Sequence, residues 1–268
     1  MPNAPVYYAL AQCQFNPVAL MAKYADDIQD ILRRRGYTLF EPLQITQLQF
    51  VNAAGQSAAR PELAQSTSWL LTRADRSAGF ILGTSGLTFH TTHYQTSAEF
   101  LPELLQGLRV VHDVVQLEYL SRVGVRYLDA VLPLPQETIE EYLAEGLRGV
   151  TLPVQQRYAL NETVYDTPGA PPLRSGTLVA RVHRMHGLLG YPPDMVPNGL
   201  AIKPRFQTGH AVQHAVIDTD HFVEGQIPLD FELIKNQLQS LHDGVRQVFD
   251  ATTSEHARSM WMRTTVGV

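Results

Sequence analysis

Apolar and polar positions along this chain follow two periods, and the switches between them mark out its elements. Residues 6–15 (VYYALAQCQF) alternate with period two, placing Tyr7, Ala9, Ala11, Cys13 and Phe15 on one face of a strand that Asn16-Pro17 ends. Residues 21–35 change to helical spacing through Ala25, Ile28, Ile31 and Leu32. Arg33, Arg34 and Arg35 followed by Gly36 suit a last turn, where cations meet the negative end of the helix dipole and glycine makes the exit. Strands are predicted at 44–51 and 69–73, with a small, polar loop over 52–64. Residues 80–82 and 87–92 form a hairpin about Gly83-Thr84-Ser85-Gly86.

The best-defined stretch follows. Thr96 with Glu99 fits a capping box, and Phe100, Leu104, Leu108, Val111 and Val115 form the apolar stripe of a long helix. The returning strand, 123–131, carries Val125, Tyr127 and Val131 on one face. A short acidic helix is expected at 137–147 and strands at 154–164, 177–186 and 211–219. Residues 187–198 (GLLGYPPDMVPN) form a loop with apolar residues such as Leu188, Leu189 and Tyr191, of a length often tied to function. Asp230 caps a second long helix through Ile234, Leu238, Leu241, Val245 and Val248, and Thr252 with Glu255 fits the start of a last short one.

The class is therefore α+β: antiparallel sheet with long amphipathic helices packed on one face. Both halves end in strands followed by a long helix, so two similar lobes are expected, 1–135 and 136–268, packed as one unit. The helices share Leu105-Gln106-Gly107-Leu108 and Leu238-Gln239-Ser240-Leu241, a match short enough for helices to produce by chance.

Composition narrows the function classes. Over 268 residues, a charged content of 18% and a hydrophobic content of 44% are globular values. A net charge of −5 argues against a general nucleic-acid binder. One cysteine, Cys13, rules out an intrachain disulfide and fits a reducing, cytoplasmic setting; no signal peptide or membrane span is expected. Phosphate-binding glycine loops are missing, and GTSGL is not a G-x-S-x-G elbow.

Ten histidines include the pairs His90/His93, His183/His186 and His210/His214. On strands, residues three apart face opposite ways, and residues four apart stand roughly 13 Å apart, too far for one ion. No metal or cofactor is expected. Asp218 and Asp220 share a face and hold a hard cation only if other oxygens converge. Arg126, inside VGVRYLDAV, needs a carboxylate partner if buried, or else recognises an anion in a groove with Tyr94, His90 and Tyr127.

Several stretches together resemble a sporadically distributed bacterial family of similar length with no assigned function. They are PVYYALAQCQFNP, Trp69 in a strand, GLTFHTTHYQTSAEF, VGVRYLDAVLPL and LHDGVRQVFDATTSEHARSMW. The most specific are the Tyr94–Phe100 spacing, Arg126-Tyr127 and the Phe249 to Trp261 tail; members often carry Asn at Asp129. The resemblance implies a bacterial cytosolic protein, a component of a defence- or mobile-element-type system, and carries no active site over.

The reading that follows is a non-enzymatic protein-binding or assembly component, its partner another protein or a second copy, with no membrane association. Arg126, Tyr94 and Tyr191 are its binding candidates. The alternatives are a metal-dependent hydrolase or nuclease-like enzyme using His90, His93, Asp218 and His221, and a small-anion sensor around Arg126.

Overall fold

The computed structural model describes residues 1, 3–51, 60–150, 152–154 and 156–263. Nine strands form one sheet in the order β2-β3-β4-β5-β1-β6-β9-β8-β7, every neighbouring pair antiparallel. They are β1 (Val6–Phe15), β2 (Leu39–Val51), β3 (Arg60–Thr72), β4 (Ala78–Leu82), β5 (Gly86–Thr91), β6 (Tyr119–Val131), β7 (Tyr158–Thr167), β8 (Gly176–Gly187) and β9 (Val212–Pro228). The helices are α1 (Met21–Arg34), α2 (Ser97–Val115), α3 (Ile139–Tyr142), α4 (Phe231–Thr252) and α5 (Glu255–Met262). The α+β class and the antiparallel sheet hold. The strands of the N- and C-terminal halves join in that one sheet through β6 and β9.

One face of the sheet carries the helices. Period-two alternation turns Ala9, Ala11, Cys13 and Phe15 of β1 and Val123, Val125 and Tyr127 of β6 toward α1, α2 and α4, in the main core. Gly107 lets α2 lie close to the sheet, since a Cβ there would overlap the Phe80 ring. A smaller core sits under α3 and α5, around Val131, Tyr142, Ile217 and Trp261.

Among the described residues, the other face is covered in its middle, by the chain between β8 and β9. This strap turns Leu189, Tyr191, Met195 and Phe206 onto Tyr7, Tyr8 and Leu128. Tyr7 donates to the Gly190 carbonyl at 2.7 Å, Thr92 to the Ala201 carbonyl at 2.6 Å, and Arg76 to the Gly199 carbonyl at 2.9 Å.

Several local expectations change. The pairing of β1 with β6 slips between Val6 and Tyr8, so Tyr7 is an added residue and leaves the Ala9 face to join Tyr8 under the strap. Thr96 stands at the N-cap of α2 but its side chain caps nothing; its carbonyl takes the Phe100 N–H at 3.0 Å. Asp230 does cap α4, accepting from the Glu232 and Leu233 amides at 2.9 and 3.1 Å. Ser254, not Thr252, caps α5, because α4 runs on through Thr252. The acidic 137–147 stretch is one helical turn, α3, then a 3₁₀ turn. Of the loop expected at 52–64, residues 52–59 lie outside the described ones, and β3 begins at Arg60. Gly36, with φ +96°, makes the exit from α1 that the arginine run announced.

Candidate functional site

Arg126 anchors the polar side of the strap face. Its Nε and Nη2 donate to Asp218 Oδ1 and Oδ2, each at 2.7 Å, and Nη1 and Nη2 donate to Asp194 at 2.6 and 3.2 Å. Asp218 is fully buried, whereas the Asp194 side chain is 63% exposed. Burial alone would raise the Asp218 carboxyl; Arg126, with His183 and Arg181 behind it, more than reverses this and holds it below the usual range. Burial likewise pulls against the Arg126 charge, and its two carboxylates outweigh that, leaving the guanidinium more firmly protonated. Asp220, two residues along the same face, faces Arg122 at 3.4 Å. Where the spacing left room for a cation, arginines from the neighbouring strands supply the positive charge.

The remaining candidates fall in different places. His90 is fully buried beside Tyr8, its Nδ1 2.9 Å from the Tyr8 hydroxyl, its Nε2 unpartnered, and burial pushes it down to about 3. Three strand steps, roughly 14 Å, separate β5 from β9 and hence His90 from Asp218. His93 is exposed on the bend after β5. His221 lies on the helix face, where its Nδ1 donates to the Leu241 carbonyl at 2.8 Å and its Nε2 accepts from Thr167 at 2.9 Å. That pairing fixes the neutral tautomer, and burial keeps the ring neutral by lowering its pKa. His90, His93, Asp218 and His221 thus form no common site, and among the described residues no three His, Cys, Asp or Glu side chains gather as a metal would require. Tyr94 and Tyr191 also separate. Tyr94 stacks edge-on to Tyr127 on the helix face, at 5.2 Å between centroids, while Tyr191 packs against Tyr7 and Tyr8 under the strap. Of the exposed apolar loop residues expected, Leu188 is exposed at 60%, whereas Leu189 and Tyr191 turn inward.

The helix face holds a constellation that includes one binding candidate, Tyr94, beside residues the candidate set did not name. A cavity of about 130 Å³ opens between the start of β1, β6 and α4, and Tyr94, Tyr127, Asp129, His242, Val245 and Phe249 line much of it. Asp129 is 3% exposed, its Oδ1 has no hydrogen-bond partner among the described residues, and burial raises its carboxyl to about 7. His242 Nδ1 is buried and likewise unpartnered among the described residues, and the buried Tyr127 hydroxyl has Tyr94 beside it. The signal for Asp129 was present in the sequence. Positions 125, 127, 129 and 131 share a face, and Asp129 is the one carboxylate among apolar and aromatic residues there. Nothing local pointed to His242, which α4 brings across from another part of the chain.

Of the two edge strands, β2 and β7, the second forms the third notable surface. Of the ten residues of β7, only Ala159 and Thr167 are even half-buried. Its exposed apolar side chains lie on both faces: Tyr158, Leu160 and Val164 toward the strap side, Tyr165 toward the helix side. Val150, Leu152 and Val154, just before it, are 80%, 64% and 70% exposed. Among the described residues no helix is long and apolar enough to cross a membrane. No protein-family model matches the chain, and neither does any curated protein or solved structure.

Proposed function

We propose that this protein is a non-enzymatic assembly component that self-associates by pairing β7 with β7 of a second copy, continuing the sheet across a two-fold axis. The observation that carries this is an edge strand with exposed apolar side chains on both faces and, among the described residues, no helix, strap or charge run protecting it. Such an edge offers its backbone donors and acceptors to another strand.

The sequence of β7 favours a second copy as the occupant. In an antiparallel pair, opposed residues share a face, so the register can slip only in twos. Centred on Glu162, the pairing sets Leu160 of each copy against Val164 of the other, Ala159 against Tyr165 and Asn161 against Thr163. A slip in either direction sets Leu160 against Glu162 or Asp166 instead. The two central Glu162 side chains would meet, but each already has the Arg181 guanidinium of its own chain beside it. Membership of the sporadically distributed bacterial family, and a cytosolic role within it, are part of the same proposal and rest on the stretches that carry the resemblance.

A Glu162→Cys variant tests the register. Under mild oxidation it should form a disulfide-linked dimer, because residue 162 faces its own copy across the axis. Asp166→Cys should not, its two copies standing roughly 26 Å apart. The native Cys13 is buried and does not compete. No cross-link at 162, or equal cross-linking at both positions, would refute the pairing.

The alternatives have less support. A hydrolase needs converging groups, and the four candidates are divided between faces and strands. An anion sensor at Arg126 would require the ligand to displace Asp194, since Asp218 and Asp194 already occupy the guanidinium.

A further inference from the structure

We propose that the cavity between β1, β6 and α4 binds a small primary ammonium with an apolar body, its charged head against Asp129. The walls and the polar groups both point to this class. A primary ammonium has three N–H donors and no acceptor. Three buried acceptors stand at the cavity wall: Asp129 Oδ1 and His242 Nδ1, with no partner among the described residues, and the Tyr127 hydroxyl oxygen, whose O–H is turned to Tyr94. Residues 127 and 129 are two apart on one strand face, roughly 7 Å along β6. The His242 ring centre lies 5.6 Å from that of Tyr127. The three acceptors therefore border one small volume.

Their protonation states fit the same ligand. Burial, opposed by Asp243 and aided by Arg246, lowers the His242 pKa, so the ring is neutral with one nitrogen free to accept. Burial and the neighbouring Tyr94 and Asp129 raise the Tyr127 hydroxyl, which stays neutral. Among the described residues no cation pairs with the Asp129 carboxyl, and an arriving ammonium would supply one. Arg246 does not fill that role: its side chain is 76% exposed at the rim, with Asp250 4.0 Å from it.

The rest of the wall suits hydrocarbon. Pro5, Val6, Val245 and Phe249 surround the acceptors, and the faces of Tyr94 and Tyr127 can meet a cation. A volume near 130 Å³ is about that of an engineered cavity that admits benzene, so the body has roughly four to six carbons. An anionic ligand would meet the Asp129 carboxylate, and a hydrocarbon would leave Asp129 Oδ1 and His242 Nδ1 unpaired.

The test uses n-butylammonium chloride, with n-butanol and sodium butyrate as probes of the same length, read by titration calorimetry and by melting temperature at fixed pH and ionic strength. Butylammonium should bind and raise the melting temperature in proportion to its concentration, with n-butanol at least 10-fold weaker and butyrate inert. Asp129→Asn, which keeps the shape and removes the charge, should weaken butylammonium by at least 10-fold. Tyr127→Phe, which keeps the ring, should weaken it several-fold. The proposal fails if butanol binds as tightly as butylammonium, if both variants retain wild-type affinity, or if butylammonium shows no binding at tens of millimolar. Because Tyr127→Phe removes only one oxygen, it keeps the test decisive should the Asn variant fold poorly.

Discussion

Arg126 and Asp218 stand on adjacent strands, displaced by one diagonal step, and meet through two hydrogen bonds of 2.7 Å each. The register sets Arg126 opposite Asp220, yet its guanidinium reaches across to the buried Asp218 and leaves Asp220 to Arg122. The pairing joins β6 of the N-terminal half to β9 of the C-terminal half, the sixth and seventh strands of the nine.

Breaking that pair from either side leaves a charge without its partner. Asp218→Asn should cost about 3–5 kcal/mol in urea unfolding, the range for removing one member of a buried ion pair. Asp194→Asn, whose side chain is 63% exposed, should cost less than about 1 kcal/mol. Comparable losses for the two would contradict this ranking. The Asp218 carboxyl lies below its unfolded value, so its contribution is present above about pH 4 and disappears as the pH falls through the folded value.

Asp129 has the opposite sign. Its carboxyl is raised to about 7, so between about pH 4 and pH 7 the folded chain holds a proton that the unfolded chain has released. Stability should fall as the pH rises across that window and level off above it, by roughly 4 kcal/mol at most. The groups facing it are Tyr94, Tyr127 and His242, with Arg246 at the rim. Asp129→Asn should flatten this part of the profile and raise the melting temperature at pH 8. An unchanged slope between pH 5 and 7 would assign the titration to another group.

How far each site could be read from the sequence depends on how local its causes are. The Gly83–Gly86 hairpin, the Asp230 cap and the opposite facing of Arg126 and Tyr127 follow from neighbouring residues, and each is present. The displaced Tyr7 comes from a register slip against β6, which period-two reasoning within β1 cannot foresee. Thr96 and Glu99 had the right spacing for a capping box, yet the Thr96 side chain makes no capping bond. His242 reaches the cavity only because α4 crosses β6, and Asp194 reaches Arg126 only because the strap folds back. Contacts between elements distant in sequence leave no local period.

Gly107 offers a test of helix–sheet packing. Gly107→Ala would drive a methyl group into the Phe80 ring and should cost about 1–3 kcal/mol, despite the better helix propensity of alanine. Gly146→Ala, with no atom within 4 Å of the new Cβ, should be close to neutral in the same thermal unfolding assay. Equal effects would mean that α2 has room to move away from the sheet.

Cys13 should behave as a core side chain. Burial raises its thiol to about 12, so a thiol reagent at pH 8 should label it only as fast as the chain unfolds. Rapid labelling of the native protein would show that β1 opens locally.

The central claim is that β7 pairs with its own copy, and mass in solution tests it most directly. Sedimentation equilibrium of the wild-type chain at micromolar concentration should give twice the 29.9 kDa of one chain, and Val164→Lys, which puts a cation into the apolar pairs, should give the single-chain mass while keeping the wild-type circular dichroism. A wild-type protein that stays at the single-chain mass up to about 100 micromolar, or a Val164→Lys variant as dimeric as the wild type, would contradict it.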